Sequence, residues 1–202
     1  MVKPDDYSMI REIKQYAKEN NIPIMVDDGI EFLTTFIIKN DINKILEIGT
    51  AIGYSAIMMA LSNPNLKITT IERDESRYME ALKNIKHFNL EDRITLIFND
   101  ALNMKLEDTF DLIFIDAAKG QNINFFNRYE TNLNEHGFII TDNMKFHGYL
   151  DKKEEEIESR NLRGLVRKIK EYRLFLEDNK EYNTMFYDNI GDGIAVTSKK
   201  SE

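Results

Sequence analysis

Two short stretches carry side chains equipped for chemistry. FDLIFIDAAKG, residues 110–120, ends an apolar run in Asp116 and sets Lys119 three residues further on. GFIITDN, residues 137–143, ends another in Asp142-Asn143. A carboxylate at the end of a buried strand is costly unless something pairs with it. If the two strands are neighbours, their tips lie about 5 Å apart, and two carboxylates and an amide oxygen converge. Alone, such a group repels itself. Around a hard divalent cation such as Mg²⁺ it is an oxygen cage, with Asp116, Asp142 and Asn143 as ligands and positions left for water and substrate. A substrate hydroxyl held there becomes more acidic, and Lys119 is placed to take its proton. The plainer reading makes the first three residues helix caps and a turn asparagine, and Lys119 a surface lysine.

A second constellation lies in ILEIGTAIGYSA, residues 45–56, where Gly49 and Gly53 bracket a loop and Tyr54-Ser55-Ala56 open a helix. The spacing is not the GxGxxG of a dinucleotide fold, and an acid, Glu47, stands at the strand tip. An acid beside a tight glycine turn suits a cationic ligand better than a pyrophosphate. S-adenosylmethionine, with a sulfonium, an ammonium and no phosphate, has that chemistry. Glu72 ends the next strand, 19 residues after Gly53, where an acid can accept from ribose hydroxyls. Asp100, in Asn99-Asp100-Ala101, follows the third strand and can accept from an adenine amino group. Each acid alone is an ordinary helix cap; three at successive strand tips behind this loop form a pattern.

The elements that must hold these residues follow from periodicity. Helical spacing runs from residue 5 to about 20 (Met9, Ile13, Tyr16, Ala17) and from Asp27 to Lys39, with Ile30, Leu33, Thr34, Ile37 and Ile38 on one side. Strand-like runs at 44–49, 67–72, 93–100, 110–116 and 137–143 then alternate with helical candidates at 54–62, 74–89 and 121–133. Apolar strands alternating with helices predict a parallel sheet covered on both faces, with ligands at the carboxyl edge of its strands. A helix over about 155–177 precedes two more strands joined through Gly191-Asp192-Gly193, a hairpin signal. The expectation is one domain over 1–202, with N-terminal helices (1–40), a cofactor and metal core (41–143), and a helix plus hairpin (144–202).

Composition narrows the classes. The 202 residues contain no cysteine, which excludes disulfides, thiolate metal sites and thiolate nucleophiles. No apolar run is long enough for a bilayer, and the opening MVKPDDYSMIREIKQY lacks the stretch of a secretory signal, so a cytoplasmic protein without a membrane partner is expected. Net charge is −8, yet residues 159–173 carry six basic side chains and one acidic one. That segment reads either as a solvated helix face or as a local basic patch. His87, His136 and His147 lack metal-ligand spacing and read as structural or exposed; a substrate contact is the lesser alternative for His147 alone, just after Asp142-Asn143.

Taken together, LEIGTAIGYSA, TIER, NDA, FIDAAKGQ and TDN resemble the cation-dependent O-methyltransferases, the group of catechol and caffeoyl-CoA methyltransferases. IPIM (22–25), NFF (124–126), LVRKIKEY (165–172) and GDGIAVTSKK (191–200) make the sequence similar to one bacterial branch, the tRNA 5-hydroxyuridine methyltransferases. The resemblance implies a Rossmann-like class I methyltransferase, α/β, with a seven-stranded mostly parallel sheet whose last strand is antiparallel. It implies cofactor contacts at Met25, Ser55, Glu72, Asp100, Ala101 and Asp116, a Mg²⁺ at Asp116, Asp142 and Asn143, and Lys119 as base. Homodimers are usual in the family. A further helix, often contributing to substrate access or dimer contacts, commonly precedes the position of Lys3 in the family; this sequence begins without it.

In the tRNA branch the acceptor is the wobble 5-hydroxyuridine, converted to 5-methoxyuridine. Its 5-hydroxyl and 4-carbonyl are vicinal oxygens that chelate a cation as a catechol does. The basic segment Arg160–Arg173, with Lys145, then meets tRNA phosphates. Three competing readings stay open: the same chemistry on a small catechol-like molecule, a module that binds S-adenosylmethionine without catalysis, and a nicotinamide-dependent oxidoreductase, which the loop spacing disfavours.

Overall fold

The structure, a computed structural model, describes residues 4–200; the position of Lys3 lies outside them. Its strands form a seven-stranded sheet in the order β3-β2-β1-β4-β5-β7-β6, and the chain divides into two compact units, one through Lys105 and one from Leu106 onward.

The first unit holds helices α1 (Pro4–Glu19), α2 (Asp27–Lys39), α3 (Tyr54–Ser62) and α4 (Glu75–His87), and strands β1 (Lys44–Ile48), β2 (Lys67–Glu72) and β3 (Ile94–Phe98). The three strands are parallel, β1 on β2 and β2 on β3. Ile45, Leu46, Ile48, Ile52 and Ile57 are fully buried, as are Leu33 and Ile37 of α2. Each such side chain contributes roughly 1.5–3 kcal/mol of burial. The α2 face turns out narrower than its periodicity suggested: Gly29, Ile30, Leu33 and Ile37 are buried, whereas Ile38 is exposed. It stands one residue past the buried stripe, about 100° round the helix.

The second unit holds strands β4 (Phe110–Ile115), β5 (Leu133–Thr141), β6 (Tyr182–Tyr187) and β7 (Ile194–Lys199), and helices α5 (Asn122–Tyr129) and α6 (Arg160–Glu177). β4 and β5 are parallel neighbours, with Ile115 opposite Thr141. β7 runs antiparallel to both β5 and β6 and lies between them. Leu112 to Ile115 are buried throughout, as a central strand covered on both faces requires. Phe126 of α5 packs edge-on to Phe175 of α6 and Tyr182 of β6, each 5.2 Å away.

Several boundaries differ from the sequence reading. The helix expected over 121–133 stops at Tyr129, and β5 starts at Leu133 rather than at Gly137. A register shift between Phe110 and Leu112 lets β5 continue past Gly137; a Cβ at that glycine would stand 2.8 Å from Leu133 Cδ1 and 3.0 Å from the Asp111 carbonyl oxygen, so a side chain there would force its neighbours to shift. The helix expected from 155 starts at Arg160, because Ser159 is extended and its hydroxyl accepts from the Leu162 N–H at 3.3 Å. No helix among the described residues is long and apolar enough to cross a membrane.

Candidate active site

The first unit builds its site from strand tips. Gly53, with φ of 86°, turns the chain into α3, and Asn84 of α4 steadies the loop by donating to the Ile52 carbonyl at 2.9 Å. Glu72 is buried and organises the same loop. One carboxylate oxygen accepts from Ala51 N–H at 2.8 Å and the other from Arg73 and Asp74 N–H at 2.9 and 2.8 Å. Oε2, with a single donor, keeps acceptor capacity toward a ligand.

Glu47 is fully buried and takes hydroxyl donors from Ser55 and Thr70. Thr70 is bonded in turn to Thr50 at 2.6 Å. Glu47 and Ser55, both expected at the cofactor, thus also bond one another beneath the glycine loop. Asp100 caps the turn Ala101–Asn103 by accepting from Leu102 N–H at 2.9 Å, and lies 3.4 Å from Arg73. Met25 is buried and lies against Gly29, where a Cβ would meet its methyl at 3.0 Å. Thr70 went unnoticed in the sequence because its role appears only in register, opposite Glu47 across parallel strands.

The second unit brings Asp116, Asp142 and Asn143 together. The Asn143 amide donates to Asp116 Oδ1 and to Asp142 Oδ2, each at 3.0 Å. Asn143 reaches this point from a left-handed backbone, φ 64°, which asparagine tolerates better than most residues. Asp142 Oδ1 is buried without a hydrogen-bond partner. Burial pushes the Asp142 carboxyl up to about 8, with the Asp116 carboxylate adding to the rise. Burial also raises Asp116, opposed by the charge of Lys119. Turning the Asn143 amide over exchanges its NH₂ for its oxygen at the same point. Among the described residues no cluster of three or more His, Cys, Asp or Glu side chains is placed to hold a metal; the donor set here is two carboxylates and an amide. These are hard oxygens with one orphaned atom, and they fit a hard divalent cation.

The segment after Asn143 is clasped by the hairpin turn. Met144 and Lys145 N–H donate to the Gly193 and Asp192 carbonyls at 2.9 and 2.7 Å. The His147 N–H donates to the Asp192 carboxylate, and His147 Nδ1 lies 3.4 Å from it. Asp192 also acts electrostatically on Asp142. In the sequence it read only as a turn residue between glycines. Gly193 has φ of 84°, and a Cβ there would stand 2.8 Å from the Lys145 nitrogen. Gly193→Ala is therefore expected to cost about 1–3 kcal/mol, read as a lower urea midpoint; an unchanged midpoint would show that the clasp is slack.

With this geometry in view, the comparisons are specific. The O-methyltransferase family model matches residues 3–200. The chain belongs to the O-methyltransferase family. A Staphylococcus aureus protein provisionally named a caffeoyl-CoA O-methyltransferase superposes on this O-methyltransferase with TM-score 0.89 and 35% identity, over 95% of this chain and 92% of that one. The Bacillus cereus O-methyltransferase, solved with SAH, superposes with TM-score 0.80 and 25% identity, over 96% and 91%. The flavonoid 3',5'-methyltransferase of Vitis vinifera is 27% identical over 195 residues, 92% of this chain and 81% of its own. Strand order, antiparallel β7 and these superpositions give this O-methyltransferase the class I methyltransferase fold.

The raised carboxyls make stability depend on pH. A carboxyl whose pKa is higher folded than unfolded holds its proton longer in the native state, so stability is full below about pH 4 and declines as pH rises toward 8. Without divalent ions, the melting temperature is expected to fall by several degrees between pH 5 and 8. Millimolar Mg²⁺ should restore it more at pH 8 than at pH 6, since ligands must be deprotonated. A metal-free melting curve that is flat with pH would contradict the burial of Asp142.

Proposed function

We propose that this O-methyltransferase uses S-adenosylmethionine and a divalent cation to methylate wobble 5-hydroxyuridine in tRNA, giving 5-methoxyuridine. The observation that carries the cation-assisted chemistry is the Asn143 amide bridging Asp116 and Asp142 beside an orphaned carboxylate oxygen. A protein that only stored the cofactor has no use for that arrangement.

When bound, S-adenosylmethionine supplies an electrophilic methyl on sulfur. Asp116, Asp142 and Asn143 would hold a hard cation such as Mg²⁺, which would supply positive charge that favours ionisation of the substrate hydroxyl. Lys119 accepts the hydroxyl proton, acting as general base. Glu72 presents acceptors for ribose hydroxyls, Asp100 one for an amino group, and buried Glu47 a negative charge under the glycine loop. Met25, Gly49, Gly53, Ser55 and Ala101 shape that pocket. Most of the acceleration comes from fixing the nucleophilic oxygen at attack distance.

The substrate assignment draws on chemistry and charge. The 5-hydroxyl and 4-carbonyl of the modified uridine are adjacent oxygens suited to one cation, and α6 carries a run of basic side chains in an acidic protein. Nucleoside mass spectrometry of tRNA from a deletion strain is expected to show 5-methoxyuridine lost and 5-hydroxyuridine accumulating. Unchanged 5-methoxyuridine, with no second enzyme making it, ends the tRNA reading. Methylation of a small catechol is the second reading, favoured by the flavonoid in the name of the Vitis vinifera relative; it leaves the tRNA nucleosides untouched. A homodimer is expected, and sedimentation would reveal it.

A further inference from the structure

A cavity of about 630 Å³ opens in the second unit between the first half of α6 and the turn Lys119–Gln121. Four cations line it, Arg160, Arg163, Arg167 and Lys168, against one carboxylate, Glu154. Arg163 is committed to the fold, donating to the Ile157 and Glu158 carbonyls at 2.6 and 3.2 Å. Arg160, Arg167 and Lys168 form no ion pair or hydrogen bond with the described residues. The stem of Lys168 lies over Gly120, where a Cβ would stand 3.1 Å from its Cδ. One wall of the cavity is therefore the residue that follows Lys119.

Charge alone is compatible with a solvated helix face. Gly164 says more. It sits inside α6, where glycine costs about 1 kcal/mol relative to alanine. A Cβ at Gly164 would meet nothing within 4 Å, so packing within the protein does not require glycine. Leaving the floor of the hollow open does. Gly164 lines the cavity and puts no side chain into it, which leaves room for an anion beside the unpaired cations.

We propose that this cavity binds a backbone phosphate of the RNA substrate, beside the nucleotide presented to Lys119. The inference rests on the tRNA reading above and adds where the strand is gripped. Discrimination then comes partly from the phosphate, which a free catechol lacks.

The test uses the full chain, a stem-loop RNA bearing 5-hydroxyuridine, and the free nucleoside. Two variants approach the cavity independently: Arg160→Gln with Arg167→Gln removes charge, and Gly164→Leu fills the space. Calorimetry with S-adenosylhomocysteine reports folding. The KM for the stem-loop is expected to rise at least tenfold in both variants, with nucleoside turnover within twofold of wild type. In the charge variant the dependence of log KM on log salt should become shallower by about one to two units. An unchanged stem-loop KM overturns the proposal, as does an equal loss on the nucleoside. Coenzyme A presents the same phosphate chemistry and is the second arm. If the variants lose only competition by coenzyme A and keep their RNA KM, the site serves a thioester substrate and the RNA assignment falls. Failure of the tRNA reading is visible separately, as a wild-type protein that methylates catechol but leaves the stem-loop unmodified.

Discussion

Asp142→Ala is expected to abolish methyl transfer while making the metal-free protein more stable at pH 8. The two effects have one cause. Asp142 is a buried carboxyl pushed up to about 8 by its surroundings and by Asp116, so ionising it strains the fold. Removing it relieves that strain and lowers the burden on Asp116. The same removal takes away an oxygen from the cation and leaves the Asn143 amide with a single carboxylate. A loss of about 10³-fold in turnover corresponds to about 4 kcal/mol of transition-state stabilisation. Turnover with and without chelator, and thermal melts across pH 5 to 8, measure both sides. Activity that survives both the substitution and the chelator would remove the cation from the mechanism. A variant less stable than wild type at pH 8 would show that the carboxyl is a structural anchor instead.

Lys119→Met is expected to lower kcat by about 10²–10⁴-fold, the usual span for a general base. The Kd for S-adenosylhomocysteine should stay within threefold, because the acceptors of the glycine loop lie on other elements. Methionine keeps the length and loses the charge, so the fold around Gly120 should hold. Asp116 would then rise further, since the Lys119 charge opposes its upward shift. Partial recovery of rate at high pH, where hydroxide replaces the missing base, would support a proton-transfer role. A rate equal to wild type would leave Lys119 as an ordinary loop residue.

Much of the fold was legible because each central strand is an apolar run closed by a polar residue. KILEIG, KITTIE and FDLIFID predicted both their own bounds and the edge at which their acids would stand. Asp116 and Asp142 could be paired in advance only on the condition that their strands are neighbours, which β4 and β5 are. What escaped the reading depends on register and insertion rather than on local pattern. Thr70 answers Glu47 only once β1 and β2 are aligned. Asp192 reaches the segment after Asn143 only because β7 enters between β5 and β6. The early start of β5 needs a bulge whose only sequence trace is Gly137.

The placement of β7 between its two neighbours has an outcome for synthesis on the ribosome. β5 and β6 emerge first yet cannot bond to each other in the native order, and both must wait for a strand made after them. Until it arrives, the backbone of Met144 and Lys145 has no partner to hold it, and the left-handed bend at Asn143 is unsupported. A nascent chain should therefore complete its glycine loop early and gather Asp116, Asp142 and Asn143 late, once translation of the hairpin is done.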